Sequence, residues 1–339
     1  MKSFALILAP GNTRGVQESP DRKHWKPGAN HGALRARAAL LADIRAYFLD
    51  HNVLEVETPL LCERGVTDPA IEPLCVTAGT SIAGPRYLQS SPEYAMKRLL
   101  AAGAGPIYQI SKAFRDGEAG SRHNPEFSLL EWYQPGFDHH QMMAQVEELV
   151  LHCLGPQSMV RFSYRELFLK FLNIDPFVAS CSDLEVLARE KIEIGFQSDD
   201  RDLWLDLLMS HLIEPAIANL DMCFVYDYPP SQAALSRIAS SGDVEVGQRF
   251  ELYINGLELA NGYCELTDAK EQRARFIADN ARRKQYGQLE RPIDELLLFA
   301  MEQGLPACSG VALGVDRLLM IATGISDIRQ LLAFDWNRC

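Results

Sequence analysis

A carboxylate in the middle of an apolar strand pattern is the first sign of chemistry in this chain. Residues 107–115 alternate, with Tyr108, Ile110 and Phe114 out of phase with Gln109, Ser111 and Arg115, which predicts a strand. Residues 126–133 predict a second, and the DGEAGSRHNP segment between them is rich in turn formers and charge. On the second strand Phe127, Leu129, Glu131 and Tyr133 share one face. Burying an unpaired charge there is costly, so Glu131 must meet a cation or a hydrogen-bond donor. The loop adds Arg115, Arg122 and His123, residue types suited to phosphate oxygens. An aromatic platform, an anion-binding loop and a buried acid point to a nucleotide beside a cationic substrate. An ordinary hairpin with a solvated charged loop is the plainer alternative.

The second constellation is RFELYINGLELANGYCEL at 249–266. Asn255-Gly256 predicts a two-residue type I′ turn, which sets Ile254 opposite Leu257, Tyr253 opposite Glu258 and Glu251 opposite Ala260. Glu251 and Glu258 then lie diagonally on one face, where two like charges repel unless a cation sits between them. Magnesium, a hard ion that also carries nucleotide phosphates, is the natural candidate. Glu265 has the opposite parity to Glu258, so it joins them only through a bulge, for which Gly262 offers a place. An edge hairpin made soluble by acids is the competing reading.

The surrounding elements follow from pattern and punctuation. Residues 34–50 have helical apolar spacing, Asn52 breaks them, and VLEVETP predicts a strand ending at Pro59. Residues 60–85 read as loops around a short strand at 74–77, followed by a strand at 87–90. Ser91-Pro92-Glu93 predicts a helix start with Ser91 as N-cap, running to Ala102. A helix is expected over 139–154; its His139, His140 and His152 lack partnering ligands. Capping boxes are expected at Ser163/Glu166 and Ser182/Glu185, and a further helix over 201–213 that breaks at Pro215. The stretch 136–220 is expected to be helical decoration inserted into a sheet domain. Residues 267–284 predict a charged helix whose Arg273, Arg275, Arg282, Arg283 and Lys284 form a basic patch. Residues 308–313 predict a strand, with Gly314 leading into a helix that carries Arg317 in its anion-favouring first turn.

Composition bounds the reading. The 339 residues suit one large domain or two small ones, and 47% hydrophobic with 23% charged is typical of a soluble globular protein. A formal charge of −12 argues against broad, non-specific nucleic-acid binding. The eight cysteines show no zinc spacing, which fits reduced thiols in a cytoplasmic protein, and no apolar run could span a membrane. Residues 1–30 read as a flexible leader ahead of a domain over 31–339.

Together these segments resemble the class II aminoacyl-tRNA synthetases in their lysyl form. Residues 114–133 resemble motif 2, with FR, then RHNPEF, then ExY; GVALGVDRLLMIATG at 310–324 resembles motif 3; residues 34–59 resemble motif 1. The likeness runs in order over about 34–335. It implies an α+β fold, an antiparallel sheet flanked by helices, and a homodimer built on 34–59. It implies ATP as substrate, with Arg115 on the α-phosphate and Arg317 on the γ-phosphate, Arg317 covering the adenine opposite Phe127. His123, Asn124, Leu259 and Gly314 match further ATP-binding positions, and Glu251 with Glu258 the magnesium site. The family places the amino acid near Ser91, Pro92 and Glu93, its terminal ammonium on Glu131 and Tyr133, and its α-amino end on Glu265 with Asn261 and Tyr263. One departure stands out: Asp116-Gly117 follows Arg115 where Asn-Glu is usual, so main-chain atoms of 115–117 would serve the adenine instead.

Within this family the chain most resembles the paralogues that lack an anticodon-binding barrel and aminoacylate elongation factor P. Residues 1–33 are too few for that barrel, which argues against tRNA as acceptor. A free-standing synthetase core, a class II asparagine synthetase and a catalytically inactive regulatory subunit are the rivals. An acidic pocket argues against the second, and intact Arg115, Glu251, Glu258 and Arg317 against the third. Ala312 stands where lysyl-tRNA synthetases generally have glycine. Its methyl would occupy the space of an α-amino group, which favours (R)-β-lysine over lysine.

Overall fold

In the computed structural model, which describes residues 25–77 and 84–339, the first helix is α1 (His31–Asp50). It begins three residues before the apolar spacing predicts, because Asn30 accepts a hydrogen bond from the Ala33 N–H at 2.8 Å. Asn52 ends the turn with a φ of +56°. Of the VLEVETP stretch only β1 (Leu54–Glu55) pairs in a ladder. Next come β2 (Leu61–Cys62), which the loop reading of 60–85 did not include, β3 (Cys75–Val76) and β4 (Arg86–Leu88). These three form a small separate sheet. After α2 (Glu93–Ala101), β5 (Ile107–Phe114) and β6 (Glu126–Pro135) are the expected antiparallel pair. Residues 1–24 of the expected leader lie outside the described residues; Gly28 and Ala29 bond the carbonyls of Ala333 and Leu332 at 2.9 and 3.0 Å.

The stretch 136–220 is not helical throughout. α3 (His139–Leu154) packs its stripe of Met142, Met143, Val146 and Leu149 into the main core. β7 (Met159–Ser163) is a strand of the main sheet. The part with a core of its own is α4 (Tyr164–Leu172), α5 (Cys181–Lys191), α6 (Arg201–Leu208) and α7 (Glu214–Ile217), packed around Phe168, Leu184, Trp204 and Leu208. The box at Ser163/Glu166 is present. The one opening α5 is Ser180/Asp183, not Ser182/Glu185, so the helix starts a half-turn earlier. A π-helical turn at Met209–Ile213 joins α6 to α7. Pro215 lies in the first turn of α7, where a missing N–H costs little, so it does not stop the chain.

The remaining elements are β8 (Met222–Tyr228), β9 (Ile238–Ser241), β10 (Val244–Ile254), β11 (Leu257–Cys264), α8 (Ala269–Gln285), α9 (Glu295–Gly304), β12 (Cys308–Gly314) and α10 (Val315–Thr323). The main sheet runs β1-β5-β6-β12-β11-β10-β8-β7, with β9 on β10. It is antiparallel except for the edge pairs β1–β5 and β7–β8. Side-chain alternation gives the sheet two unlike faces. Leu130, Trp132, Leu252, Ile254 and Leu313 pack under α1, α3 and α10. On the other face α2, α8 and α9 cover one end around Met96, Phe276 and Leu298, and the α4–α7 unit covers the other. A cleft remains between them.

The expected basic patch on α8 is largely spent inside the molecule. Arg283 is fully buried against the Glu72 carboxylate and the carbonyls of Asp68 and Leu289. Arg273 pairs with Glu295 at 2.5 Å and Arg282 with Asp279 at 3.0 Å. No described helix is long and apolar enough to cross a membrane.

Gly262 lies opposite Phe250 in a regular stretch of β11. A Cβ there would fall 2.4 Å from the Phe250 ring and 2.9 Å from the Gly310 carbonyl oxygen. Gly262→Ala therefore overpacks a core with a backbone atom on one side, at a cost of about 1–3 kcal/mol. Denaturant titration should show this as a lower midpoint with an unchanged slope. An equally stable variant contradicts the packing.

Candidate active site

The acidic hairpin turns at Asn255-Gly256, with φ of +50° and +70°, as the two-residue turn requires. Ile254 pairs with Leu257 and Tyr253 with Glu258, as expected. Beyond them Leu252 pairs with Ala260 and Glu251 with Asn261, so the expected Glu251–Ala260 pair does not form. Leu259 is an extra residue, a bulge, and it is buried in the main core together with Ala260. Two consecutive apolar side chains reach the same core only through this irregularity. The bulge is therefore at Leu259 and not at Gly262. It inverts the parity of the strand, so that Asn261 and Tyr263 line the cleft with Glu258, and Glu265 with them.

At the closed end of the cleft three carboxylates converge. Tyr133 donates its hydroxyl to Glu131 Oε1 at 2.6 Å, and Ser91 donates to Glu131 Oε2 at 2.7 Å. Ser91 is not the N-cap of α2, since Pro92 holds that position; its Oγ accepts the Glu93 N–H at 3.0 Å while serving Glu131. Lys97, which the sequence reading passed over, places Nζ 2.6 Å from both Glu93 Oε1 and Glu265 Oε2. The i,i+4 spacing of Glu93 and Lys97 was the available signal. Gly310 makes room for the group: a Cβ there would fall 2.3 Å from the Tyr133 ring and 2.5 Å from Glu265 Oε1. Ala312 sits between β6 and β11, paired with Glu131 on one side and Asn261 on the other.

Burial, and then the like charge of Glu93, push the Glu131 carboxyl up to about 8. Burial also lifts Glu265, to about 7, against the opposing pull of Lys97. Burial pulls Lys97 down, but Glu265 and Glu93 more than offset it and hold it protonated. This end of the cleft is short of positive charge.

The open end carries the arginines, set among the carboxylates Glu251 and Glu258. The Arg115 guanidinium lies 5.2 Å from the Phe127 ring centroid, and its buried Nε has no hydrogen-bond partner among the described residues. Arg317 donates to the Glu258 carbonyl at 2.6 Å, and its Nη2 lies 2.7 Å from His123 Nε2. Burial and then Arg317 push His123 below its ordinary value, which suits a neutral ring accepting from Arg317. Asp316, also unforeseen, accepts the Ser128 N–H at 2.7 Å and pairs with Arg37 of α1, which ties α10 to β6. Glu251 accepts from Tyr228 at 2.7 Å and from Tyr253 and Arg249 at 2.5 Å each. The cleft's exclusion of water, and then Glu251, push Glu258 up.

Most of the anticipated residues share this cleft of about 1190 Å³, larger than the roughly 300–1,000 Å³ of a single-ligand pocket. Arg115, His123, Phe127, Glu131, Tyr133, Glu251, Glu258, Glu265, Ala312, Gly314 and Arg317 all line it. Pro92, Asp116 and Gly117 do not: Asp116 turns back, its N–H on the Glu72 carbonyl and its Oδ1 on the Gly117 N–H. Asn124 is occupied by Glu126 and Trp336. Leu259 buries its side chain in the core, so only its main chain faces the cleft.

Comparison with known proteins places the chain in a family. The family model for class II tRNA synthetases (D, K and N) matches residues 26–338. The elongation factor P–(R)-β-lysine ligase of Pseudoalteromonas translucida is 47% identical over 323 residues, covering 93% of this chain and 98% of its own. That of Proteus mirabilis is 47% identical over 315 residues, covering 91% and 97%. That of Vibrio cholerae is 46% identical over 323 residues, covering 93% and 98%.

The raised carboxyls make stability depend on pH in a defined direction. Between the ordinary carboxylate value of 4.5 and about 8, the folded protein holds protons on Glu131 and Glu265 that the unfolded chain has lost. The folded state binds more protons in this window, so stability falls as pH rises through it. The thermal midpoint of the ligand-free protein should decline from pH 5 to pH 8, and Glu131→Gln should flatten the decline. Parallel profiles for the two proteins contradict the assignment.

Proposed function

We propose a function from one premise: the chain belongs to the class II tRNA synthetase family, and within it to the elongation factor P–(R)-β-lysine ligases. It is an ATP-dependent ligase. Its reaction on our reading is activation of (R)-β-lysine as an adenylate, followed by transfer to a lysine side chain of elongation factor P. The observation that carries this reading is the polarity of the cleft. Glu93, Glu131 and Glu265 converge at one end, and Arg115 and Arg317 at the other. A substrate with amino groups at one end and a carboxylate at the other matches that axis, with the carboxylate directed toward a nucleotide.

Chemistry follows from the axis. The substrate carboxylate attacks the α-phosphorus of ATP. An oxygen–phosphorus bond forms as the bond to the bridging oxygen breaks, and pyrophosphate leaves with the electron pair. The attacking group is already ionised, so no general base is required. The obstacle is repulsion between anions, and catalysis consists of positioning and charge neutralisation. Arg115 meets the α-phosphate and Arg317 the γ-phosphate, while Phe127 supports the adenine. Glu251 and Glu258 would hold magnesium, which when bound supplies further neutralisation at the phosphates. The fit is supported by the placement of Glu251 near Glu258: burial, and then the Glu251 charge, push Glu258 up. In the second step a neutral acceptor amine attacks the adenylate carbonyl, AMP departs, and the amine nitrogen loses a proton.

A homodimer built on the α1 region is part of this reading. Leu49, Leu54, Leu60 and Leu61 are exposed around it, and Leu49 retains 75% of its surface. Free cysteines throughout support a reducing, cytoplasmic setting.

ATP–pyrophosphate exchange across a panel of amino acids tests the first step, and labelled transfer tests the acceptor. The expected result is preference for (R)-β-lysine and transfer to elongation factor P without tRNA-Lys charging; stoichiometric charging of the tRNA reverses the acceptor.

Ala312 gives the isomer preference a testable cause. Its methyl, flanked by Glu131 and Asn261, takes the space of an α-amino group and leaves a β-amino group free. Ala312→Gly should lower the ratio of kcat/KM for (R)-β-lysine over lysine by roughly ten- to a hundredfold. An unchanged ratio removes Ala312 from the explanation.

A further inference from the structure

Lys97 is a fully buried ammonium that the adenylation step does not use. It is 2% exposed, and Nζ lies 2.6 Å from Glu93 Oε1 and 2.6 Å from Glu265 Oε2. Lysine is almost never wholly buried unless paired, because desolvation of the ammonium must be offset. Its backbone is held firmly: Met96 and Leu100, its neighbours on α2, belong to the core beneath. The ammonium cannot leave without abandoning two carboxylates in a water-poor site.

Three carboxylates, Glu93, Glu131 and Glu265, and one ammonium leave a formal charge of two negatives when all are ionised. A substrate with two ammonium groups neutralises that charge; one with a single ammonium leaves an uncompensated buried carboxylate. We propose that Lys97 is a positioning and specificity residue that sets this charge count, fixing Glu93 against Glu265 and keeping Glu265 an ionised acceptor for the substrate's second amino group. The inference rests on the reading of the cleft as a site for a lysine-type substrate.

The surroundings of Glu265 make the role readable. From α2 it meets Lys97 and Glu93; from β6, Glu131 and Tyr133; from β12, the Gly310 N–H and Cys308; on its own strand, Cys264. Lys97 and the Gly310 N–H favour the ionised form, while Glu93 opposes it. Capture of the second ammonium requires ionised Glu265, so kcat/KM for a diamino substrate rises with pH through the Glu265 titration. Removing Lys97 moves that acid limb to higher pH.

The test is pyrophosphate exchange from pH 6 to pH 9 for the wild type, Lys97→Met and Lys97→Arg, with (R)-β-lysine and with a des-amino analogue that keeps only the terminal ammonium. Lys97→Met should raise KM for (R)-β-lysine roughly tenfold or more. It should leave KM for ATP unchanged, shift the acid limb upward, and narrow the preference for the diamino compound. Lys97→Arg keeps the charge and should leave the limb where the wild type has it, which also serves if the Met variant does not fold. An active wild type whose Met variant keeps its KM and limb, or an Arg variant whose limb moves upward, overturns the proposal. A wild type that activates no diamino acid overturns the reading of the cleft itself.

Discussion

Charge on a sheet face that would otherwise be core is the constraint on which this structure depends. β6, β11 and β12 alternate apolar residues with Glu131, Asn261, Tyr263 and Ala312, and only one of the two faces can pack dry. α1, α3 and α10 cover the apolar face. The opposite face cannot be closed without stranding carboxylates, since an unpaired buried charge costs far more than a helix gains by covering it. Its helices therefore gather at the two ends, and the cleft is the space between them. Each acid that remains carries its own donors: Tyr133 and Ser91 on Glu131, Tyr228, Tyr253 and Arg249 on Glu251, and Lys97 on Glu93 and Glu265.

The same constraint orders the chemistry. Glu93, Glu131 and Glu265 are held at the closed end, and Arg115 and Arg317 at the open end beside Glu251 and Glu258, so the cleft is polarised before any ligand enters. Preorganisation of this kind spares the reacting groups the cost of reorienting solvent during bond exchange. Positioning extends well behind the cleft. Asp316 fastens the first turn of α10 to the Ser128 N–H on one side and to Arg37 of α1 on the other. Phe127 and Arg317 thus sit on elements bolted to each other, which matters more for a reaction governed by alignment than for one governed by a single reactive side chain.

Much of this was legible in the chain itself, because the relevant signals are local. The strand alternation around Glu131, the Asn255-Gly256 turn and the first-turn position of Arg317 each follow from a few neighbouring residues, and the structure carries all three. What escaped reading depends on contacts distant in sequence. The bulge at Leu259 arises because Leu259 and Ala260 both belong to a core assembled from many elements, which no two-strand register reveals. Lys97 is ordinary as a helix residue and becomes chemical only when β11 brings Glu265 to it. Arg283 looked like part of a solvated face because its partner, Glu72, is 211 residues away. Ser91 had a sufficient local reason as a cap, which concealed its service to Glu131.

The bulge at Leu259 has a consequence for which sequence changes the hairpin can absorb. The strand carries one unpaired residue between Glu258 and Ala260, and Glu258 and Asn261 share the cleft face because they pair with Tyr253 and Glu251, two residues apart on β10. Deleting Leu259 would make the ladder regular and leave Asn261, Tyr263 and Glu265 on the cleft face, whereas deleting a residue between Asn261 and Glu265 would turn those after it toward the core. The hairpin thus absorbs a change of length at its bulge, and beyond it the count of residues is held more strictly than their kinds.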